Sequence, residues 1–231
     1  MATEKIEKAK EIQDRLRSQV VLEDDWRELN LVAGVDASYD KLNSTAWGAA
    51  VVVDRKTLRV EDQAQAALPC DFPYVPGYLS FREVPVLLRC LEQLSIKPDV
   101  ILCDGQGLAH PKRFGLACHL GVELDIPTVG VAKSRLIGEH RPVEQERGSL
   151  QPLVHCGEQV GVVLRTRTGV RPVFVSPGHL MGIQGAVRLV LESAPKFRLP
   201  EPVRLAHRLC STQGGHGLTE KGHGQIDPGT L

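Results

Sequence analysis

The chain has 231 residues, 42% of them hydrophobic and 24% charged, a globular mix that excludes a disordered, collagenous or fibrous protein. Twenty-eight Lys and Arg balance 28 Asp and Glu, so the whole chain lacks the basic excess of a nonspecific nucleic-acid binder. The six cysteines form no Cys-x-x-Cys pair and the charged N-terminus has no apolar core of a signal peptide; with no apolar run near the ~20 residues of a membrane span, a reducing, cytoplasmic setting without membrane attachment is expected.

Ile6, Ala9, Ile12, Leu16 and Val20 recur at steps of three and four and predict an amphipathic helix over 3–20. Residues 31–35 read as a strand ending at Asp36, 47–53 as a buried strand and 57–68 as its partner, so the first third predicts a strand meander. Phe72-Pro-Tyr-Val-Pro-Gly77 is a stiff loop, followed by a helix with Phe81, Val84, Leu87, Leu88, Leu91 and Leu94 on one face. Residues 100–103 form a short strand ending at Asp104, 116–124 a helix and 127–132 another strand, a βαβ unit with parallel strands. Residues 138–158 are polar and read as irregular. A hairpin is expected from 160–166 and 173–175, then a helix from His179 to Ser193 and a final helix over 200–210. Residues 211–231 hold six glycines and almost no large apolar side chain; a disordered tail is expected there, behind one α/β domain over 1–210.

Several polar residues fall where chemistry can be built. Asp36 and Asp104 end predicted strands, and ligands of open α/β sheets gather at the carboxyl ends of parallel strands. Glu83 lies in the first turn of the helix after the stiff loop. Acidic groups so placed suit a hard divalent cation, but Asp36 and Asp104 also fit turns or caps. Ser80-x-x-Glu83 also has the spacing of a capping box. Lys133 follows a strand on the same sheet edge as Asp104, suited to phosphate or to the solvated surface. His179, at an expected helix start, is suited to a neutral imidazole or to packing. His110, with Lys112 and Arg113, forms a basic loop of the kind that meets backbone phosphates. Tyr74, between two prolines, has the setting of a wedge that unstacks bases or of a packed loop aromatic. The end of the chain is basic, with nine Lys and Arg against four Asp and Glu over residues 162–231.

Pro73-Tyr-Val-Pro-Gly-Tyr-Leu-Ser-Phe-Arg-Glu83 closely resembles the signature of the endonuclease V family of deoxyinosine 3′-endonucleases, in its bacterial type. Gly34-Val-Asp36, Asp104-Gly-Gln-Gly-Leu-Ala-His-Pro111, Gly130-Val-Ala-Lys133, Ser176-Pro-Gly-His179 and Arg198-Leu-Pro-Glu-Pro202 agree in order. The resemblance implies an RNase H-like fold, a mixed β-sheet flanked by helices. It implies an acidic site of Asp36, Glu83 and Asp104 holding Mg²⁺, with Mn²⁺ as an alternative, supported by Lys133 and His179. It places Tyr74, Val75 and Pro76 in the DNA wedge, Val75 being a mild departure from the pattern. Gly77, Leu79, Gly105, Gly130 and Leu136 fall in the pocket for the flipped base, with His110 nearby. The implied substrate is inosine-containing DNA, single- or double-stranded, cut by a monomer at the second phosphodiester bond 3′ to the lesion to leave 3′-hydroxyl and 5′-phosphate ends. Inosine in RNA and a lesion-binding module that does not cut are the alternatives; intact acidic positions speak against the second.

Overall fold

The computed structural model describes residues 2–24, 28–40 and 44–213. The N-terminal helix α1 (Ala2–Arg17) precedes a meander of β1 (Leu31–Asp40), β2 (Thr45–Asp54) and β3 (Val60–Pro69). Helix α2 (Ser80–Gln93), β4 (Val100–Cys103), α3 (Leu116–Leu124) and β5 (Thr128–Ala132) follow, then β6 (Leu150–His155), β7 (Glu158–Leu164), β8 (Val173–Pro177), α4 (Ile183–Ser193) and α5 (Glu201–Gln213). Among the described residues, eight strands form one sheet in the order β3-β2-β1-β4-β5-β8-β7-β6. The central strands β1, β4 and β5 are parallel and both flanks antiparallel, the mixed sheet that the sequence predicts.

Side chains alternate across a strand, and the two faces of this sheet bury different helices. Val32, Val51, Val100, Leu102 and Val129 face α4 and α5 through Leu189, Val190, Val203 and Ala206. Ala33, Val35, Val52, Ile101 and Cys103 face α2 and α3 through Val84, Leu87, Leu91 and Leu120. With both faces covered, the central strands read as continuous apolar runs. All six cysteines are free and four are buried. No helix among the described residues is long and apolar enough to cross a membrane.

The structure corrects several boundaries. β1 does not stop at Asp36 but runs on to Asp40, because the whole length of β2 pairs with it from Leu31↔Asp54 to Asp40↔Thr45. Strand β6 occupies part of the segment expected to be irregular; it is an edge strand carrying Pro152 and largely exposed side chains, the composition that edges tolerate and that hides a strand from pattern reading. α4 starts at Ile183 with Gly182 as its N-cap, so His179 lies in the turn before it, where Leu180 has a left-handed backbone. α1 ends at Arg17, short of residue 20, and α5 runs through 211–213, where the tail was expected to begin. The rest of that tail, 214–231, lies outside the described residues.

Helix α5 lies unusually close to the sheet. A Cβ at Gly34 would overlap the Pro202 carbonyl and the Val203 nitrogen, so only glycine allows the first turn of α5 to rest on β1. Along β1, Asp36 is two residues beyond Gly34 and points to the same face. Along α5, His207 is four residues beyond Val203 and lies on the same stripe.

Candidate active site

Parallel pairing of β1 with β4 sets Val35 beside Cys103, and the Asp104 N–H donates to the Val35 carbonyl at 3.1 Å. Asp36 and Asp104 therefore stand side by side, both side chains only 5% exposed. Two adjacent carboxylates in a nearly dry setting repel each other and need positive partners. Lys133, just past β5, donates from Nζ to Asp104 Oδ2 at 2.6 Å. His207 of α5 sets Nδ1 2.7 Å from Asp36 Oδ2 and 3.8 Å from Asp104 Oδ2. The seating of α5 at Gly34 brings this imidazole to the carboxylates.

One ligand atom each from Asp36, Asp104 and His207 lie within 4.8 Å of one another. An octahedral cation with bonds near 2.1 Å places its ligand atoms about 3–4 Å apart, so the three side chains can close on one ion. Two carboxylates and one imidazole suit Mg²⁺ less strictly than an all-oxygen set and suit Mn²⁺ well. The sequence reading missed His207, which sits on the apolar stripe of the last helix with Val203, Ala206 and Cys210. A histidine within such a stripe was the available signal, but only the fold puts it against Asp36.

Glu83 stands outside this group of three. Its charge reaches Cys103 and Tyr39, helping burial to raise both pKa values, which places it on α2 near the end of β4. The capping-box alternative does not hold: Leu79 is the N-cap of α2 and no side chain caps it. Ser80 Oγ instead lies 3.0 Å from His119 Nδ1.

His179 is not brought to the carboxylates. It accepts the Val21 N–H at Nδ1 (3.2 Å), its Nε2 lies 3.3 Å from Asp125 Oδ1, and its backbone N–H donates to Thr128 Oγ1 at 2.9 Å. Thr128 begins β5 opposite Ile101, three residues short of Asp104, and Lys133 follows the other end of β5, so His179 is set back from the cluster by about 10 Å or more along the strand direction. It ties the α1–β1 connection to the turn before β5.

The loop after Asp104 links the carboxylates to the proline-rich segment. Its backbone crosses β5 directly over Gly130, where a Cβ would overlap Gly107 N and Gln106 C. Gly130 is therefore covered by the loop and lines no open pocket. Gly105 packs at the edge of Leu116, and Gln106 Nε2 donates to the Ser134 carbonyl at 3.1 Å, two residues before the half-exposed Leu136. The loop ends at His110, whose Cε1 is the nearest atom to a Cβ built on Gly77. Gly77 adopts φ +85°, which glycine alone reaches without strain, and its carbonyl accepts from Gln13 Nε2 at 3.1 Å.

The rigid segment so anchored presents Tyr74, 71% exposed, and Leu79, 40% exposed. Val75 is half-buried and Pro76 exposed. Beneath them Phe72 stacks on Phe81, and Phe81 packs on His119 at 4.7 Å between ring centroids. Lys112 is exposed. Arg113 is committed to the fold, donating to Glu158 Oε2 at 2.7 Å and to the His110 and His155 carbonyls, so it is not the open phosphate contact the sequence suggests. Burial pushes His119 down to about 4, and burial with Arg113 and Lys112 pushes His110 down to about 4.

Both imidazoles ordinarily titrate near 6.5, so the unfolded chain binds protons that the folded chain refuses. The stabilisation from holding them neutral is complete above pH 6.5 and is lost as pH falls toward 4. Equilibrium unfolding between pH 7.5 and 4.5 should show stability decreasing over that window, with a shallower slope in His119→Gln. Identical slopes would show that His119 is not held neutral.

The family model for endonuclease V matches residues 14–208. The endonuclease V of Rippkaea orientalis is 50% identical over 210 residues, covering 90% of this chain and 91% of that protein. The crystal structure of the Streptomyces avermitilis endonuclease V superposes with a TM-score of 0.86 at 44% identity, covering 90% of this chain and 92% of the other. The Ciona intestinalis endonuclease V, in complex with DNA containing an inosine followed by a ribo-adenosine, superposes with a TM-score of 0.81 at 27% identity, covering 93% and 98%. The chain belongs to the endonuclease V family.

Proposed function

We propose that this protein is a divalent-metal-dependent endonuclease that recognises deoxyinosine in DNA and hydrolyses the second phosphodiester bond 3′ to it. The observation that carries this reading is the continuity of one segment, Asp104 to His110, from the carboxylate cluster to the loop that presents Tyr74. Lesion recognition and hydrolysis are thereby held on one rigid frame. The inosine-containing DNA bound by the Ciona relative supports the substrate class.

Asp36, Asp104 and His207 are the residues to hold the ion, with Glu83 on the neighbouring helix as a further acidic group. A bound Mg²⁺ or Mn²⁺ supplies activation of water and neutralisation of phosphoryl charge. Lys133 has its ammonium at the Asp104 carboxylate, where it offsets the negative charge that builds on the phosphate. The water oxygen bonds to phosphorus, the bond from phosphorus to the 3′-oxygen breaks, and that oxygen leaves as the 3′-hydroxyl after taking a proton. His179 has no part in this scheme, because it lies at the far end of β5.

Hypoxanthine pairs poorly with thymine, so extruding it costs less than the few kcal/mol of an intact pair. Tyr74 fills the gap. Exposed Leu79 and Leu136 offer apolar walls to the extruded base, and Gly77 and Gly105 let backbone approach its edge. Inosine in RNA is the alternative substrate, and matched inosine DNA and RNA oligonucleotides compare the two directly.

Cleavage of an inosine-containing duplex with Mg²⁺, mapped to the nucleotide, tests the assignment. Asp104→Ala should abolish cutting, and Lys133→Ala should slow the single-turnover step about 10²-fold. Glu83→Gln should lose activity at unchanged thermal stability. A folded Asp104→Ala protein that cuts at the wild-type rate would contradict the assignment.

For the wedge, stacking of a ring is worth ~1–3 kcal/mol per base. Tyr74→Ala should weaken binding to the lesion duplex by about one to two decades, and least on single strands, where no stack has to be opened. An equal loss on both substrates would leave Tyr74 as a shaping residue only.

A further inference from the structure

The connection between α4 and α5 carries an apolar ring that the scheme above does not use. Phe197 is 43% exposed, and Lys196 beside it is also exposed. The Arg204 guanidinium covers one face of the Phe197 ring, 4.4 Å from its centroid. Arg204 is itself fixed by two hydrogen bonds to the Glu201 carboxylate, at 2.8 and 2.5 Å. The result is a layered stack of carboxylate-held guanidinium and ring. Because Glu201 neutralises Arg204, the guanidinium serves as backing for the ring more than as a phosphate contact.

This stack adjoins the metal cluster through two elements. Arg204 and His207 are three residues apart on α5, so their side chains are neighbours, with Cβ atoms about 5–6 Å apart. On the other side, Arg198 donates to the Lys133 carbonyl at 2.6 Å and the Pro172 carbonyl at 2.9 Å, which anchors the connection beside the residue that contacts Asp104. The ring is thus on the order of 10–15 Å from the carboxylates, the span of about three or four stacked nucleotides at 3.4 Å each. Exposed Arg208, next to His207, and Lys196 both add positive charge near Glu201, which suits the phosphates of the same strand.

We propose that Phe197, backed by Arg204, is a stacking platform for a base of the bound strand within about four nucleotides of the scissile phosphate. A fixed ring gives a sequence-tolerant hold on the strand at little cost in side-chain entropy, and it sets the distance between the extruded base and the bond that is cut. The proposal rests on the endonuclease reading.

The test is an abasic scan. Binding and single-turnover cleavage are measured for wild type, Phe197→Leu and Phe197→Trp on inosine oligonucleotides with one abasic nucleotide at successive positions, within about five nucleotides on either side of the cut. Leucine keeps the apolar packing on Arg204 and removes the π-face. On the intact oligonucleotide Phe197→Leu should lose about tenfold in affinity, and Phe197→Trp should regain it. At one position the abasic substitution should cost wild type about tenfold and Phe197→Leu nothing further. Cleavage of inosine DNA with equal losses for wild type and Phe197→Leu at every position would overturn the platform alone. Absence of any inosine-dependent cleavage by wild type would overturn the endonuclease reading and the platform with it.

Discussion

The contact of α5 with β1 at Gly34 decides the chemistry of this molecule. Side chains on both surfaces normally hold a helix off a sheet. Here one position of β1 has no side chain, and the backbone of Pro202 and Val203 occupies the space. Everything further along both elements is brought closer in consequence. Asp36 follows Gly34 on the same face, His207 follows Val203 on the same stripe, and the two meet at 2.7 Å. The apolar contacts of Val203 and Ala206 with the sheet fix the helix in this seat.

The cluster that results has a charge balance of its own. Asp36 and Asp104 are adjacent because β4 ends at Cys103 in parallel register with Val35, midway along β1. The nearest positive or protonatable partner is His207 for Asp36 and Lys133 for Asp104. The partners are more exposed than the carboxylates, with side chains 43% and 31% accessible against 5%. Asp36, Asp104 and His207 would hold a divalent cation, with a neutral imidazole supplying the nitrogen, and Lys133 would keep its contact with Asp104. The network stretches further through Arg198, which holds the Lys133 backbone and continues into the chain that carries Phe197.

Much of this was legible in the sequence because the central strands are short apolar runs with sharp polar ends. The limits of β4 and α3 read directly from Val100–Cys103 and Leu116–Leu124, and the parallel βαβ unit followed from their rhythm. Asp104 and Lys133 each follow a short apolar strand, which puts both on one sheet edge, where they meet at 2.6 Å. Asp36 reads as the end of a strand although β1 runs on to Asp40, since a polar residue inside a strand looks like an end until its antiparallel partner is known. His179 and His207 show the opposite failure. His179 closes the block Ser176-Pro-Gly-His179 while His207 lies beyond the last matching block, and only the tertiary fold decides that His207 faces the carboxylates while His179 faces Val21 and Asp125. The covering of Gly130 by the Asp104–His110 loop and the binding of Arg113 to Glu158 were likewise invisible, because both depend on contacts between residues distant in sequence.

The account stands on α5 completing a metal site where β4 ends beside β1. Titration of the wild-type protein with Mn²⁺, followed by electron paramagnetic resonance, measures this without any substrate. The account predicts saturable binding that is sharply weakened in His207→Ala and unchanged in His179→Ala. Equal Mn²⁺ affinity in wild type and His207→Ala, or a loss confined to His179→Ala, would contradict it.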